Sequence, residues 1–254
     1  MNNILRLSNL EKNKSNNNMK TGIFVQARYD SNRLKGKIIL PLKNLTMIEH
    51  IQLRLNLVPA DKRIIVTTAE TVPFIKKHIM AGWSVFVGDE LNVLKRYYDA
   101  MQYYKIDVII RSTADNPLVS YELANNILDV YQKKSCDYAH FLDIPWGSGV
   151  EIIKSKALAE AYQKAKDTYQ KEHVTPYLYQ NPKLFRCFAG VPADKRYHSH
   201  LRVTVDYPED YEFMKTIYNT LYKNKPLSIL DVLDFCKNNH LGIQQHADYY
   251  KKLA

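Results

Sequence analysis

The chain has 254 residues, of which 46% are hydrophobic, which is enough to build one large α/β domain or two small ones. The 36 Lys and Arg against 26 Asp and Glu give a net charge of +10, which favours anionic partners such as nucleotides, sugar phosphates, nucleic acids or acidic membranes. The three cysteines form no Cys-x-x-Cys pair, which argues against a disulfide framework or a structural zinc site. No stretch approaches ~20 consecutive apolar residues, and the N-terminus has no apolar core of the signal-peptide type. We therefore predict a cytoplasmic protein without a membrane span or an export signal.

The first half of the chain has a βαβ rhythm. Residues 1–18 are rich in Asn and Lys and are predicted to be a disordered leader. Strand and helix signals then alternate, which predicts parallel strands joined by crossover helices. The predicted strands are 22–25, 63–67, 84–87 and 108–113, and the predicted helices are 47–57, 71–81 and 92–104.

The second half has a mixed pattern in which short strands and helices follow each other without a Pro- or Gly-rich linker. We therefore predict one domain over residues 19–240 and a C-terminal tail over 241–254. Strands are predicted at 137–140, 149–153, 185–189 and 201–205, and helices at 122–133, 156–166, 171–179, 209–221 and 229–238.

A polar loop follows the first strand and carries Arg28, Ser31, Arg33 and Lys37. Three cations and a hydroxyl within one loop suit the spread negative charge of a triphosphate. Taken alone, the same residues are also compatible with a solvated basic loop, because Lys and Arg in loops are usually exposed.

Two segments share the pattern R-x-T-x-D-x-P, from Arg111 to Pro117 and from Arg202 to Pro208. Each is predicted to end a strand, so that Arg, Thr and Asp share one face and the Asp lies at the carboxyl end, where ligands bind in parallel α/β sheets. Asp115 and Asp206 are then candidate ligands of a hard divalent cation. The alternative is that each Asp caps a turn introduced by the following Pro.

These motifs together resemble one enzyme family. The loop from Gln26 to Lys37, the first R-x-T-x-D-x-P, the run Glu172-His-Val-Thr-Pro-Tyr177 and the segment Val205 to Asp210 are similar to the cytidylyltransferases of spore-coat polysaccharide synthesis, which are related to the enzymes that make CMP-sialic acid and CMP-Kdo. The resemblance spans about residues 19–221. It implies a single Rossmann-like nucleotidyltransferase domain of GT-A type, α/β in class, with a mostly parallel central sheet and a mixed C-terminal half.

The resemblance also implies roles for individual residues. The product is an acceptor joined to CMP, and pyrophosphate is released; Lys37, Arg28, Asp115 and Asp206 are the catalytic residues. Asp115 and Asp206 would bind Mg²⁺. A homodimer is implied, and no nucleic acid partner. The CTP-binding residues would be Gln26, Ala27, Arg28, Ser31, Arg33, Lys37 and Arg111, and we assign Glu151, Glu172, His173 and Arg202 to the acceptor side.

Three positions depart from the family pattern. Ala114 stands where the family usually has Gly, which is tolerated if the backbone there has a negative φ. Trp146 and Gly149 occupy a segment that would line the acceptor site, where polar residues are expected. The acceptor is therefore left open between a sugar acid and a phosphorylated small molecule.

Other classes of function are compatible with parts of this sequence. The alternative is a nucleotidyltransferase that uses another nucleoside triphosphate, or a metal-dependent GT-A glycosyltransferase. Sugar-nucleotide pyrophosphorylases usually show a Gly-Gly-x-Gly-x-Arg loop and the glycosyltransferases a D-x-D pair after an inner strand, and neither motif is present. A nucleic-acid-binding module would need a basic stripe with stacking aromatic residues, whereas the positive charge here is scattered.

Overall fold

The computed structural model of the protein describes residues 19–242. The predicted leader, residues 1–18, and residues 243–254 of the predicted tail lie outside the described residues. Between residues 19 and 242, no helix is both long enough and apolar enough to cross a membrane.

The centre of the fold is a twisted seven-stranded sheet, and a two-stranded hairpin lies beside it. The sheet strands are β1 (Thr21–Gln26), β4 (Lys62–Thr67), β5 (Ser84–Val87), β6 (Val108–Thr113), β7 (Tyr138–Phe141), β8 (Glu151–Lys154) and β9 (Cys187–Gly190), and the hairpin strands are β2 (Pro41–Leu42) and β3 (Leu45–Thr46). Their order across the sheet is β5-β4-β1-β6-β8-β7-β9. Only β8 runs antiparallel to its neighbours, so the predicted mostly parallel sheet with a mixed second half is confirmed.

Helices cover both faces of the sheet. They are α1 (Met47–Leu55), α2 (Val72–Ile75), α3 (Val93–Tyr104), α4 (Tyr121–Lys134), α5 (Ser155–Lys164), α6 (Thr168–His173), α7 (Pro176–Tyr179), α8 (Pro208–Leu221) and α9 (Ile229–Asn238). Because side chains alternate along a strand, Ile23 and Val25 of β1 pack with α1 and α4, while Phe24 between them packs with α3. A third apolar cluster joins α8 and α9 to the rest of the domain.

Two predicted helices are broken in the structure. The predicted helix 71–81 is α2 followed by a short 3-10 turn, Lys76–His78. The predicted helix 171–179 is divided between α6 and α7 by a strained γ-turn at Val174 (φ 71°, ψ −53°), where Thr175 N donates to His173 O at 2.8 Å. Pro176, which lacks an N–H, starts α7, where that donor would have no partner within the helix.

The prediction of a strand at 201–205 is wrong. The segment is extended but makes a single bridge, between Arg202 and Trp146. Its partner Trp146 belongs to no strand, so the bridge is isolated and the segment does not become part of the seven-stranded sheet. The segment instead crosses the end of β6, where Val205 N donates to Asp115 O at 2.9 Å.

The buried side chain of His50 lies between α1 and α8. The ring of His50 on α1 packs against Tyr218, with 4.3 Å between ring centroids, and its Nε2 bonds Leu42 O at 2.8 Å. Burial, with a smaller contribution from the Arg54 charge, lowers the pKa of His50 to about 4. The ring is therefore neutral in the folded protein and donates Nε2–H to the carbonyl.

This burial predicts a loss of stability in mild acid. The unfolded chain protonates His50 as the pH falls below about 6.5, whereas the folded chain resists until about pH 4, so stability is full above that window and is lost within it. The loss from His50 between about pH 7 and pH 5 is about 2 kcal/mol. Urea unfolding at both pH values should show a smaller decrease for His50→Gln than for the wild type; an unchanged decrease would contradict the assignment.

Candidate active site

A cavity of about 450 Å³ opens at the carboxyl ends of β1 and β6. The loop after β1 forms one wall, and the turn after β6 forms the floor. Glu172 of α6 faces it from the other side. The residues predicted from the sequence that line it are Gln26, Arg28, Ser31, Arg33, Lys37, Asp115 and Glu172.

The Lys37 ammonium is the central charge of this site. Its Nζ lies 3.1 Å from Asp115 Oδ2, 3.0 Å from Asp206 Oδ1 and 2.8 Å from Val205 O. Its side chain is only 8% exposed. Gly36, with φ 69°, makes the reversed turn that aims Lys37 inward, and a Cβ at Gly36 would lie 3.0 Å from the Tyr29 ring.

Asp115 is fixed by its neighbours on the turn after β6. Thr113 Oγ1 donates to Asp115 Oδ1 at 2.5 Å, and Asn116 Nδ2 donates to Thr113 Oγ1 at 3.0 Å. The second carboxylate oxygen, Oδ2, is the one that meets Lys37. The backbone at Ala114 is not left-handed, so the methyl group that departs from the family pattern is accommodated.

Asp206 is surrounded by cations. Arg33 Nη2 lies 2.8 Å from Asp206 Oδ1, and Arg202 bonds Oδ2. Burial alone would raise the pKa of Asp206, but the charges of Lys37, Arg202 and Arg33 and their hydrogen bonds hold the pKa below its ordinary value. The carboxylate is therefore ionised at neutral pH.

Arg202, which the sequence assigned to the acceptor side, lies beneath Asp206 in the structure. Its guanidinium contacts both Asp206 and Asp210, and its side chain is 7% exposed. Asp210 also accepts from the backbone N–H groups of Asp206 and Tyr207, at 2.8 and 3.0 Å, at the start of α8. Arg202 and Asp210 thus orient the carboxylate of Asp206.

A second charged cluster lies at the junction of β6 and β8. Arg111 forms an ion pair with Glu151, and its Nη2 donates to Gln26 Oε1 at 3.2 Å. Glu151 Oε1 also accepts from Tyr138 OH at 2.5 Å and from Thr175 Oγ1 at 2.8 Å. Burial would raise the pKa of Glu151, but Arg111 and these donors outweigh burial and lower it.

Not every predicted residue reaches the cavity. Ala27 is buried in the core, and its carbonyl accepts from Thr67 Oγ1 at 2.8 Å. The His173 ring packs against Tyr169, with 4.4 Å between ring centroids. Glu172 lines the cavity, and its carboxylate has no hydrogen-bond or ion-pair partner among residues 19–242.

A second cavity, of about 410 Å³, adjoins the first and shares Arg28 and Asp30 with it. It lies at the carboxyl ends of β1, β4 and β5. Tyr29 stacks on Phe74 in its wall, with 3.6 Å between ring centroids and 7° between ring planes. The carboxylates of Glu70 and Glu90 also line it.

Thr113, Tyr138, Thr175 and Asp210 position residues of the site and were not predicted from the sequence, and neither were Glu70 and Glu90 of the second cavity. Thr113 is the Thr of the first R-x-T-x-D-x-P segment, and Asp210 ends the segment Val205–Asp210. Other residues of both segments were predicted to be site residues, but these two were not. Thr175 lies in the Glu172 to Tyr177 run. Tyr138 carries no local signal, because only the pairing of β7 with β8 brings it to Glu151.

Comparisons with known proteins identify the family. A family model described as cytidylyltransferase matches residues 23–252. The spore coat polysaccharide biosynthesis protein SpsF of Bacillus subtilis is 31% identical over 225 residues, which is 85% of this chain and 93% of SpsF. The chain therefore belongs to the cytidylyltransferase family, and the resemblance found in the sequence is confirmed.

Solved structures agree with this assignment. A cytidylyltransferase from Leptospira borgpetersenii has a TM-score of 0.80 and 30% identity, over 90% of this chain and 98% of that one. A CMP:2-keto-3-deoxy-manno-octonic acid synthetase complexed with CTP has a TM-score of 0.61 and 16% identity, over 79% of this chain and 98% of that one. The latter likeness supports the nucleotidyltransferase fold alone.

The Arg111–Glu151 pair yields a stability prediction. Arg111→Met leaves the Glu151 carboxylate enclosed without its cation, and about 3–5 kcal/mol of unfolding free energy should be lost. Adding Glu151→Gln removes the uncompensated charge, so the double variant should be more stable than Arg111→Met alone. Urea unfolding measures both.

The matched control is Lys154→Met on the same strand β8. Lys154 pairs with Asp137 at 3.4 Å, and its side chain is 34% exposed. This variant should lose less than about 1 kcal/mol. Equal losses for Lys154→Met and Arg111→Met would show that the Arg111–Glu151 pair has no special structural role.

Proposed function

We propose that the protein transfers CMP from CTP to a small-molecule acceptor and releases pyrophosphate. The observation that carries this proposal is the meeting, around Lys37, of the cationic loop after β1 with two carboxylates from distant parts of the chain. A triphosphate needs the first group of charges, and a divalent cation needs the second.

The triphosphate would lie along the loop after β1. Arg28, Ser31 and Arg33 line the 450 Å³ cavity together with Lys37. One arginine guanidinium can donate two parallel hydrogen bonds to phosphate oxygens, and a lysine ammonium supplies a compact point charge. These cations would offset the charge that develops on the departing pyrophosphate, and a site that excludes water strengthens this stabilisation.

Asp115 and Asp206 fit a magnesium ion. Their oxygens Oδ2 and Oδ1 are close enough to bind a single ammonium from both sides, so the pair already accommodates one cation. Mg²⁺ is typically held by one or two carboxylates, with substrate phosphate oxygens and water completing its coordination. When bound, Mg²⁺ would reduce charge repulsion at the α-phosphate and align an in-line attack.

The nucleoside would occupy the neighbouring cavity of 410 Å³. Arg28 and Asp30 belong to the walls of both cavities, so a ligand can continue from one into the other. Glu70 and Glu90 would accept hydrogen bonds from the ribose hydroxyls or the cytosine amino group, the donors that a cytidine nucleotide presents.

The acceptor would approach from the side of α6. Glu172 lines the phosphate cavity from this side and is the carboxylate best able to orient or deprotonate an attacking hydroxyl. Glu151 would act indirectly, since it is held by Arg111, Tyr138 and Thr175. The similarity to SpsF, a spore coat polysaccharide biosynthesis protein, supports a role in surface polysaccharide or glycoconjugate synthesis. The acceptor that we propose is a sugar acid or a phosphorylated small molecule, and the place of the reaction is the cytoplasm.

The decisive variants are Asp115→Asn and Asp206→Asn. Each should lower CTP-dependent pyrophosphate release by at least about 100-fold with the fold retained, because each removes a charge from the proposed metal site. The control is Asp129→Asn, an exposed carboxylate on α4, which should leave activity unchanged. Retained turnover in both site variants would refute the proposed roles.

The substrate is tested with a panel. Pyrophosphate release should be measured with CTP, UTP, ATP and GTP, each with sugar acids and with phosphorylated alcohols as acceptors. The proposal predicts turnover with CTP and one acceptor class. Preference for another nucleoside triphosphate would contradict it.

A further inference from the structure

The ammonium of Lys37 lies at the point where the proposed site needs its divalent cation. An ammonium carries three N–H donors, and here the three acceptors are Asp115 Oδ2, Asp206 Oδ1 and Val205 O. A cation that binds both carboxylates through these oxygens would have to occupy the space that Nζ fills. Lys37 and a divalent ion therefore compete for one position.

The charges around this position are balanced without a metal ion. Three cations, Lys37, Arg33 and Arg202, face the three carboxylates Asp115, Asp206 and Asp210. A divalent ion added alone would expel the Lys37 ammonium from its acceptors and leave the cluster with excess positive charge. Both effects oppose metal binding in the nucleotide-free protein.

A bound triphosphate removes both obstacles. Lys37 lines the same cavity as Arg28, Ser31 and Arg33, so its long side chain can exchange the carboxylates for phosphate oxygens by rotating within the cavity. The negative charge of the triphosphate then compensates the incoming ion. Nucleotide and metal thus each favour the binding of the other, as thermodynamic linkage requires.

We propose that Lys37 is a built-in substitute for the divalent cation, which keeps the Asp115–Asp206 site closed to metal until a nucleoside triphosphate draws Lys37 away. The proposal rests on the proposed function, since it takes that triphosphate and that metal site as given. It adds an order of events: the nucleotide, or its metal complex, opens the metal site. Free metal ions do not preload the enzyme.

The test uses Mn²⁺ alone, counted by electron paramagnetic resonance, with neither nucleotide nor acceptor present. Lys37→Gln, which keeps a neutral donor, and Lys37→Met should each bind Mn²⁺ at least about 10-fold more tightly than the wild type, because the competing cation is gone. Asp206→Asn added to Lys37→Gln should abolish this gain, which identifies the site. If neither Lys37 variant binds Mn²⁺ more tightly, the proposal is wrong.

The matched control is Lys62→Met. Lys62 is the exposed first residue of β4, at the opposite end of the strand from the cavity, and its loss changes the net charge equally. Lys62→Met should bind Mn²⁺ as the wild type does. A gain equal to that of Lys37→Gln would assign the effect to overall charge and overturn the proposal.

A wild-type measurement keeps the test valid if the Lys37 variants do not fold. Thermal unfolding should show little rise in Tm with Mn²⁺ alone, and a rise with Mn²⁺ and CTP together that exceeds the sum of the separate rises. Full stabilisation by Mn²⁺ alone would overturn the proposal. Because Mn²⁺ binding needs no turnover, this outcome is distinct from failure of the proposed function, which would appear as no pyrophosphate release with any nucleotide.

Discussion

The site depends on one buried electrostatic contact, the Lys37 ammonium between Asp115 and Asp206. It joins three pieces of chain that are far apart in sequence: the loop after β1, the turn after β6 and the segment before α8. The cost of burying these charges is offset because each has several partners, and removing one partner would leave the others uncompensated. The backbone bond from Val205 to Asp115 holds the second and third pieces in register.

The two charged clusters of the site differ in how free their groups are to act. Around Lys37, the cations face a cavity and can change partners when a ligand arrives. At Arg111 and Glu151, the ion pair is enclosed by Tyr138, Thr175 and Gln26, so its groups are committed to one another. The cations of the first cluster can therefore bind a negatively charged ligand, whereas the second cluster stabilises the junction of β6 and β8.

Much of the fold and part of the site could be predicted from the sequence. Apolar runs bounded by polar loops marked all seven sheet strands. The loop after β1 contributes Arg28, Ser31, Arg33 and Lys37 to one cavity, and their binding of a triphosphate stays a prediction. The second R-x-T-x-D-x-P segment was misread as a strand because a local apolar pattern cannot show whether a segment has a strand beside it, and here its one bridge is to Trp146. The sequence could not show that Arg202 pairs with Asp206 and Asp210, because that pairing depends on how the chain packs. Arg202 was therefore assigned to the acceptor side.

The central claim is that the position of the Lys37 ammonium becomes the metal position when nucleotide binds. A crystal structure of the protein with CTP and Mn²⁺, in which the anomalous signal locates the metal, tests this most directly. We predict a Mn²⁺ peak bound by Asp115 and Asp206, with Lys37 Nζ moved onto the phosphates. A structure with CTP bound, Lys37 still between the two carboxylates and Mn²⁺ elsewhere would contradict the account.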